Sequence, residues 1–313
     1  MLSRIADSLF WLNRYMERSD GLLRNIRTHY TLSLDKGLND HLTWKPVLEI
    51  FTQHTSEEID QLKDNNDQLL YHLLLDKDNA NSLKMLILRA RENARGVQDH
   101  ITKEVWKQVN ELYHLVNGLN PDHHLRGVET METIDLLSRQ CLLYNGVTDT
   151  TMPRGTGWNF MTIGRQIERC LMTIEISNKY FEMIDYNIEA DNDILQWRPL
   201  LLSLSGYELH LKNYQSSNYN RNTLHQVLFN ENFTRSVLYT LKRIDRDFNE
   251  ITLYDNSTEV EALSKQFGRL ISKLKYTDFD SLNKTTLQHF LGDSRKELSD
   301  FSRNLAKHFF SYT

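Results

Sequence analysis

The chain has 313 residues, of which 12 are Gly and 4 are Pro. Together they make about 5%, against about 12% in an average sequence, which excludes a many-stranded sandwich, a propeller or a collagen-like chain and predicts few, long elements. With 25% charged and 40% hydrophobic residues and a net charge of −5, the chain can bury a sizeable core and does not read as a general nucleic-acid binder.

Taken in order, the first predicted element is a helix. Ile5, Leu9, Leu12, Met16 and Leu23 recur at the helical period, with Ser3 as its N-cap. Trp44-Lys45-Pro46 suits Pro in a first helical turn, where its missing N–H costs nothing. After a turn signal at Asp76–Asn81, a long periodic run extends from Leu83 to Val116 and is broken by Gly118-Leu119-Asn120-Pro121. Further helices are expected over Glu129–Tyr144, Trp158–Ile184, Ile194–Leu211, Phe233–Ile251, Val260–Tyr276 and Thr286–Phe309. Trp197-Arg198-Pro199 predicts a second proline-initiated turn, and no β-hairpin signal stands out. The fold class is therefore all-α, a multi-helix bundle.

Three segments recur in the same order at nearly one offset. Asn13-Arg14-Tyr15-Met16-Glu17-Arg18 answers to Gly164-Arg165-Gln166-Ile167-Glu168-Arg169. Trp44-Lys45-Pro46-Val47-Leu48 answers to Trp197-Arg198-Pro199-Leu200-Leu201, and Leu75-Asp76-Lys77-Asp78 with Asn81-Ser82-Leu83 answers to Phe229-Asn230-Glu231-Asn232 with Arg235-Ser236-Val237. The spacings are 151, 153 and 154 residues. This predicts two tandem, related helical halves, 1–150 and 151–313, packed as one domain because no Ser/Gly-rich linker separates them.

The opening helix of each half carries charge where a buried face is expected. At about 100° per residue, the core stripe of the first lies about 180° from Arg14. Arg14, Glu17 and Arg18 fall on the far side, flanked by Phe10 and Trp11. In the second copy the stripe is Phe160, Ile163, Ile167 and Ile174, and Arg165, Glu168 and Arg169 lie opposite, among Trp158, Met161, Met172 and Ile176. A helix apolar on both sides is buried on both sides, so these charges are expected to be at least half buried, where the halves meet, and paired. Two readings follow. The pairs Arg14–Glu17 and Arg165–Glu168, three residues apart, could simply fix packing. Alternatively, Arg14, Arg18, Arg165 and Arg169 could capture a carboxylate or phosphate, with Glu17 or Glu168 as a general base. Asn13 and Gly164, small and matched, suggest close helix crossing. Arg91 and Arg95 could extend the cluster, although a solvated helix face also accounts for Arg89, Arg91, Glu92 and Arg95 and for their counterparts Arg243, Asp245 and Arg246.

Other signals are weaker. Glu111-x-x-His114 is half of a di-iron motif and has no second copy, and Asp122-His123-His124 reads as a solvated loop, so no metal is expected. Glycine-rich phosphate loops and nucleophile elbows are missing from the sequence, and no cofactor is expected. No apolar run reaches membrane-span length and the N-terminus does not read as a signal peptide. With Cys141 and Cys170 single inside helical patterns, the expectation is buried thiols in a cytoplasmic protein.

The stretches Met1-Leu2-Ser3-Arg4-Ile5-Ala6 through Phe10-Trp11-Leu12-Asn13-Arg14-Tyr15-Met16-Glu17-Arg18, Ala90-Arg91-Glu92-Asn93-Ala94-Arg95, Gly157-Trp158-Asn159 through Glu168-Arg169, and Phe233-Thr234-Arg235-Ser236-Val237 resemble the bacterial α-E domain family along nearly the whole chain. The chain departs from the family pattern at Asn13, where Gly is frequent, and at Cys170, where Ala is frequent. The resemblance implies an all-helical protein encoded beside a circularly permuted ATP-grasp protein and a transglutaminase-like peptidase. It thereby implies an accessory role in ATP-dependent peptide or amide synthesis or modification. An enzyme acting on a peptide-like amide through Glu17 or Glu168 is the alternative, and a helical interaction protein with purely structural ion pairs is a third reading.

Overall fold

The computed structural model describes residues 2–34, 43–62, 65–190 and 192–310. Met1 and residues 311–313, the outer limits of the two expected halves, lie outside them. Fifteen α-helices and no strand occur among the described residues. They are α1 (Ser3–Leu34), α2 (Lys45–Phe51), α3 (Ser56–Leu62), α4 (Asn66–Leu74), α5 (Leu83–Gly96), α6 (Lys103–Asn117), α7 (Pro121–His124) and α8 (Glu129–Thr151). There follow α9 (Thr156–Met183), α10 (Ile194–Ser203), α11 (Tyr207–Asn213), α12 (Tyr219–Leu228), α13 (Val237–Thr252), α14 (Thr258–Tyr276) and α15 (Lys284–Phe310). The chain divides into two compact units, one over Trp11–Arg154 and one joining the residues up to Phe10 with those from Gly155 onward.

Within Trp11–Arg154, α8 runs antiparallel to α1. Arg27 Nε meets Asp135 Oδ1 at 2.6 Å at one end, and Tyr144 Oη donates to Asn13 Oδ1 at 2.5 Å at the other. Helix α6 packs against α5 and α8, with Gln108 Nε2 donating to Gln140 Oε1 at 2.7 Å. In the other unit α9 packs against α13 and α15, and the Phe248, Phe267 and Phe301 rings meet in tilted and edge-on contacts where α13, α14 and α15 come together. Gly164 brings α9 against the start of α1: a Cβ there would lie 2.3 Å from the Phe10 carbonyl oxygen. The close crossing expected at Gly164 is thus present, whereas matched Asn13 is spent on a buried hydrogen bond.

Several expected elements change. The Leu2 carbonyl accepts from Ile5 and Ala6 N–H, which places Ser3 inside α1 rather than at its N-cap. The run Leu83–Val116 is two helices, because the chain turns at Gly96 and restarts where the Thr102 hydroxyl accepts from Val105 N–H. Val97 and Ile101 in that turn are buried, so the apolar signal continues through the break. Ile194–Leu211 is likewise split, after Ser205 at φ 56° and at Gly206, where a Cβ would lie 2.6 Å from Gln226 Nε2. Pro46 does sit in the first turn of α2. Pro199, in contrast, lies inside α10, because the Asp193 side chain caps that helix earlier by accepting from Leu195 N–H. The Phe233 segment becomes helical only after Ser236.

The two Asp/Asn turns have the same hydrogen bonds. The Tyr71 carbonyl accepts from Leu75 and Asp76 N–H, Asp76 Oδ1 accepts from Asp78 N–H, and Ser82 Oγ both donates to the Asp76 carbonyl and accepts from Met85 N–H. Each bond recurs 154 residues later among His225, Phe229, Asn230, Asn232, Ser236 and Tyr239.

Candidate functional site

Helix α1 places Arg14, Glu17 and Arg18 within one and a half turns. The Glu17 residue is 2% exposed, while both arginines are partly exposed. A buried carboxylate is costly unless neighbouring donors hold it, so its burial inside an arginine-rich stretch is a built feature. The Arg14 guanidinium lies 4.6 Å from the Trp11 ring centroid, and Trp11 stacks on Tyr15 at 5.4 Å. The Arg89 guanidinium of α5 lies 5.9 Å from the Tyr15 ring centroid. Arg18 Nη1 donates to Asn81 Oδ1 at 2.9 Å, immediately before the Ser82 cap that starts α5.

A second group on α1 joins Asn13 and Glu17 to Asp20, a residue with no role among the expectations above. Asn13, Glu17 and Asp20 recur at four and three residues, and all three are buried. Arg24, four residues beyond Asp20, pairs with it. Facing them from α8, Tyr144 bonds Asn13, and the Cys141 thiol is pushed well above its ordinary range by burial, with the charges of Asp20 and Glu17 adding and that of Arg24 opposing. The i, i+4, i+7 spacing of polar residues was the available signal, hidden because the apolar stripe dominates the same helix.

Helix α9 repeats the charged triplet in other surroundings. Glu168 is 1% exposed, and Arg165 and Arg169 are partly exposed. The Arg165 guanidinium lies 5.9 Å from the Trp158 ring, one face of the same helix. Cys170 is buried and pushed up to about 12 by burial, with a hydrogen bond involving Thr240 opposing. Both cysteines are buried free thiols, as the sequence predicts.

The expectation that Arg91 and Arg95 extend the cluster is corrected. Arg91 packs on the Tyr113 ring at 4.3 Å, near Trp106, and its Nε donates to Asn110 Oδ1 at 2.8 Å. Arg95 is largely exposed and lies 3.9 Å from Glu92. Their partners all belong to α5 and α6; Arg89 is the α5 arginine that reaches α1. Glu111 lies on an exposed face beside Lys107, at 3.7 Å, and His114 is also on α6. Among the described residues no group of His, Cys, Asp or Glu is arranged to hold a metal ion, and no helix is long and apolar enough to cross a membrane.

A family profile described as a predicted alpha-helical domain with a conserved ER motif matches residues 1–310. The chain belongs to the Alpha-E family. Glu17-Arg18 and Glu168-Arg169 are the two Glu-Arg pairs placed above in α1 and α9. Uncharacterised proteins of Mycobacterium bovis and of two strains of Mycobacterium tuberculosis are 22% identical to this Alpha-E chain over 281 residues. The match covers 83% of the chain and 31% of each relative, so the chain spans about a third of the length of the curated relatives it matches. No solved structure matches it significantly.

Proposed function

We propose that this Alpha-E chain is a helical accessory protein that binds an anionic, peptide-like molecule, or the partner that carries it, in an ATP-grasp-linked peptide or amide synthesis or modification system. The observation that carries this reading is the repeated placement of a buried Glu beside partly exposed arginines on α1 and α9. A fixed guanidinium is suited to planar, two-point recognition of carboxylate or phosphate, and a tryptophan under Arg14 and under Arg165 limits the freedom that binding would otherwise remove. The link to an ATP-grasp protein and a transglutaminase-like peptidase rests on the family resemblance. The bond-for-bond match of the two Asp/Asn turns supports a chain built from two related halves, each with its own Glu-Arg pair.

The test is co-purification of the chain with the ATP-grasp protein encoded beside it, with ligase activity measured in its presence and absence. Stable association or a change in ligase rate is expected. Neither association nor any effect on rate would refute the accessory role.

The burial of both carboxylates favours one second reading. A desolvated Glu17 or Glu168 could serve as a general base toward a peptide-like amide. On that reading Glu17→Gln and Glu168→Gln abolish turnover while thermal unfolding stays cooperative. Loss of folding in both variants would assign the carboxylates to structure.

A further inference from the structure

Helix α8 carries apolar residues on both sides. Its inner face, with Thr133, Ile134, Leu137, Cys141, Tyr144 and Thr148, is buried. At about 100° per residue, an opposite arc about 140° wide holds Leu136, Arg139, Leu142, Leu143, Gly146 and Asp149. On that arc Leu142 is 62% exposed, Leu143 49% and Leu136 36%. A helix face that stays in water carries polar residues, so leucines recurring on the outer side mark a face that another surface covers.

Two further features belong to the same arc. Gly146 is exposed, and a Cβ there would meet nothing within 4 Å, so no packing inside the chain calls for glycine at a position where it weakens a helix. Gly268 and Gly292 are equally open, but neither has an exposed leucine one turn away. Arg139 is exposed and enters no ion pair among the described residues. Asp149 is exposed as well, with Oδ1 accepting from Arg154 Nη2 at 3.0 Å. These residues are placed symmetrically along α8: Leu142 and Gly146 stand two residues either side of position 144, and Arg139 and Asp149 stand five either side.

We propose that this face pairs with the same face of a second copy of the chain, the two α8 helices running antiparallel about a two-fold axis level with position 144. In such an isologous contact residue i meets j and j meets i. Leu142 of each copy then seats over the open Cα of Gly146 of the other, where the missing side chain lets the helices approach closely, and Arg139 of each reaches Asp149 of the other. Any other antiparallel register breaks one of these two matches, because only this axis makes both coincide. One helix face is small beside the roughly 1,200 Å² of a standard interface, so the dimer is reversible and depends on concentration. This pairing is independent of the ligase association, and either can fail alone.

The test is sedimentation equilibrium of the full chain from about 1 μM to about 300 μM, with thermal unfolding of each variant followed on the same samples. A monomer–dimer equilibrium is expected. Leu142→Lys should weaken it at least about tenfold, and so should Arg139→Asp and Asp149→Arg singly, since each sets like charges together at both ends of the contact. An equimolar mixture of the Arg139→Asp and Asp149→Arg chains restores both opposite-charge pairs and should recover association close to wild type, a rescue that damage to the fold would not give. A wild-type chain that stays monomeric throughout the range overturns the proposal. Association left unchanged by the two charge variants, or a mixture that associates no better than either variant alone, overturns it as well, even where Leu142→Lys fails to fold.

Discussion

Helices α1 and α9 carry the same Arg-x-x-Glu-Arg pattern and bury it by different means. In α1 the face below Glu17 is polar: Asn13 accepts from Tyr144, and Asp20 pairs with Arg24. In α9 the corresponding positions are Gly164, Leu171 and Glu175. There Gly164 lies against the Phe10 backbone, and Glu175 turns to Arg295 of α15, at 2.7 Å from its Nε. The Glu-Arg pair is thus compatible with a hydrogen-bonded setting and with a close-packed one. That points to a role for the pair itself rather than for one way of packing it.

The largest expected effect lies where α9 tolerates no side chain. Gly164→Leu forces atoms into the Phe10 carbonyl and should cost about 3 kcal/mol or more, read as a fall in the urea midpoint. Asn13→Leu at the matched position of α1 meets no such backbone. An equal loss there would break the contrast.

The two helices should also differ in the pH range that weakens them. His29 of α1 is fully buried, and burial lowers it from 6.5 to about 4. The folded protein holds it neutral while the unfolded chain takes up a proton. Its contribution is therefore complete above about pH 6.5 and is lost as pH falls toward 4, about 3 kcal/mol in all. At the matched position of α9 stands Tyr180, whose hydroxyl burial raises. That group opposes unfolding fully below about pH 10 and loses its advantage only in alkali. Denaturant midpoints from pH 4 to 7 for wild type and His29→Gln would show this. A wild-type acid slope undiminished in the variant would contradict it.

A smaller effect is expected at Tyr144. Tyr144→Phe strands the buried Asn13 carbonyl and should cost about 1–2 kcal/mol, while Asn13→Gly with Tyr144→Phe should recover part of it. Strict additivity in that double-mutant cycle would remove the polar face from the comparison.

The helical class and the core stripe were readable because period and burial coincide. Leu9, Leu12, Leu23, Ile163 and Ile167 are all fully buried. The burial of Glu17 and Glu168 was readable for the same reason, since hydrophobic neighbours flank the charges on the helix wheel. The breaks after Gly96 and at Gly206 were not, because apolar Val97, Ile101 and Leu204 are buried in the turns themselves and keep the pattern running. Short α3, α4 and α12 lay below the length at which periodicity speaks. Pairings such as Tyr144 with Asn13 or Arg18 with Asn81 join residues far apart in sequence, and no local signal encodes them.

The most direct test of the central claim, that the arginines beside the buried glutamates serve recognition, is the affinity of the Arg14→Gln/Arg165→Gln double variant for an ATP-grasp protein, the partner class proposed above. Affinity and thermal midpoint should be measured on the same samples. The account predicts association at least tenfold weaker, with a midpoint within a few degrees of wild type. Undiminished association, or a variant that no longer folds, would contradict it.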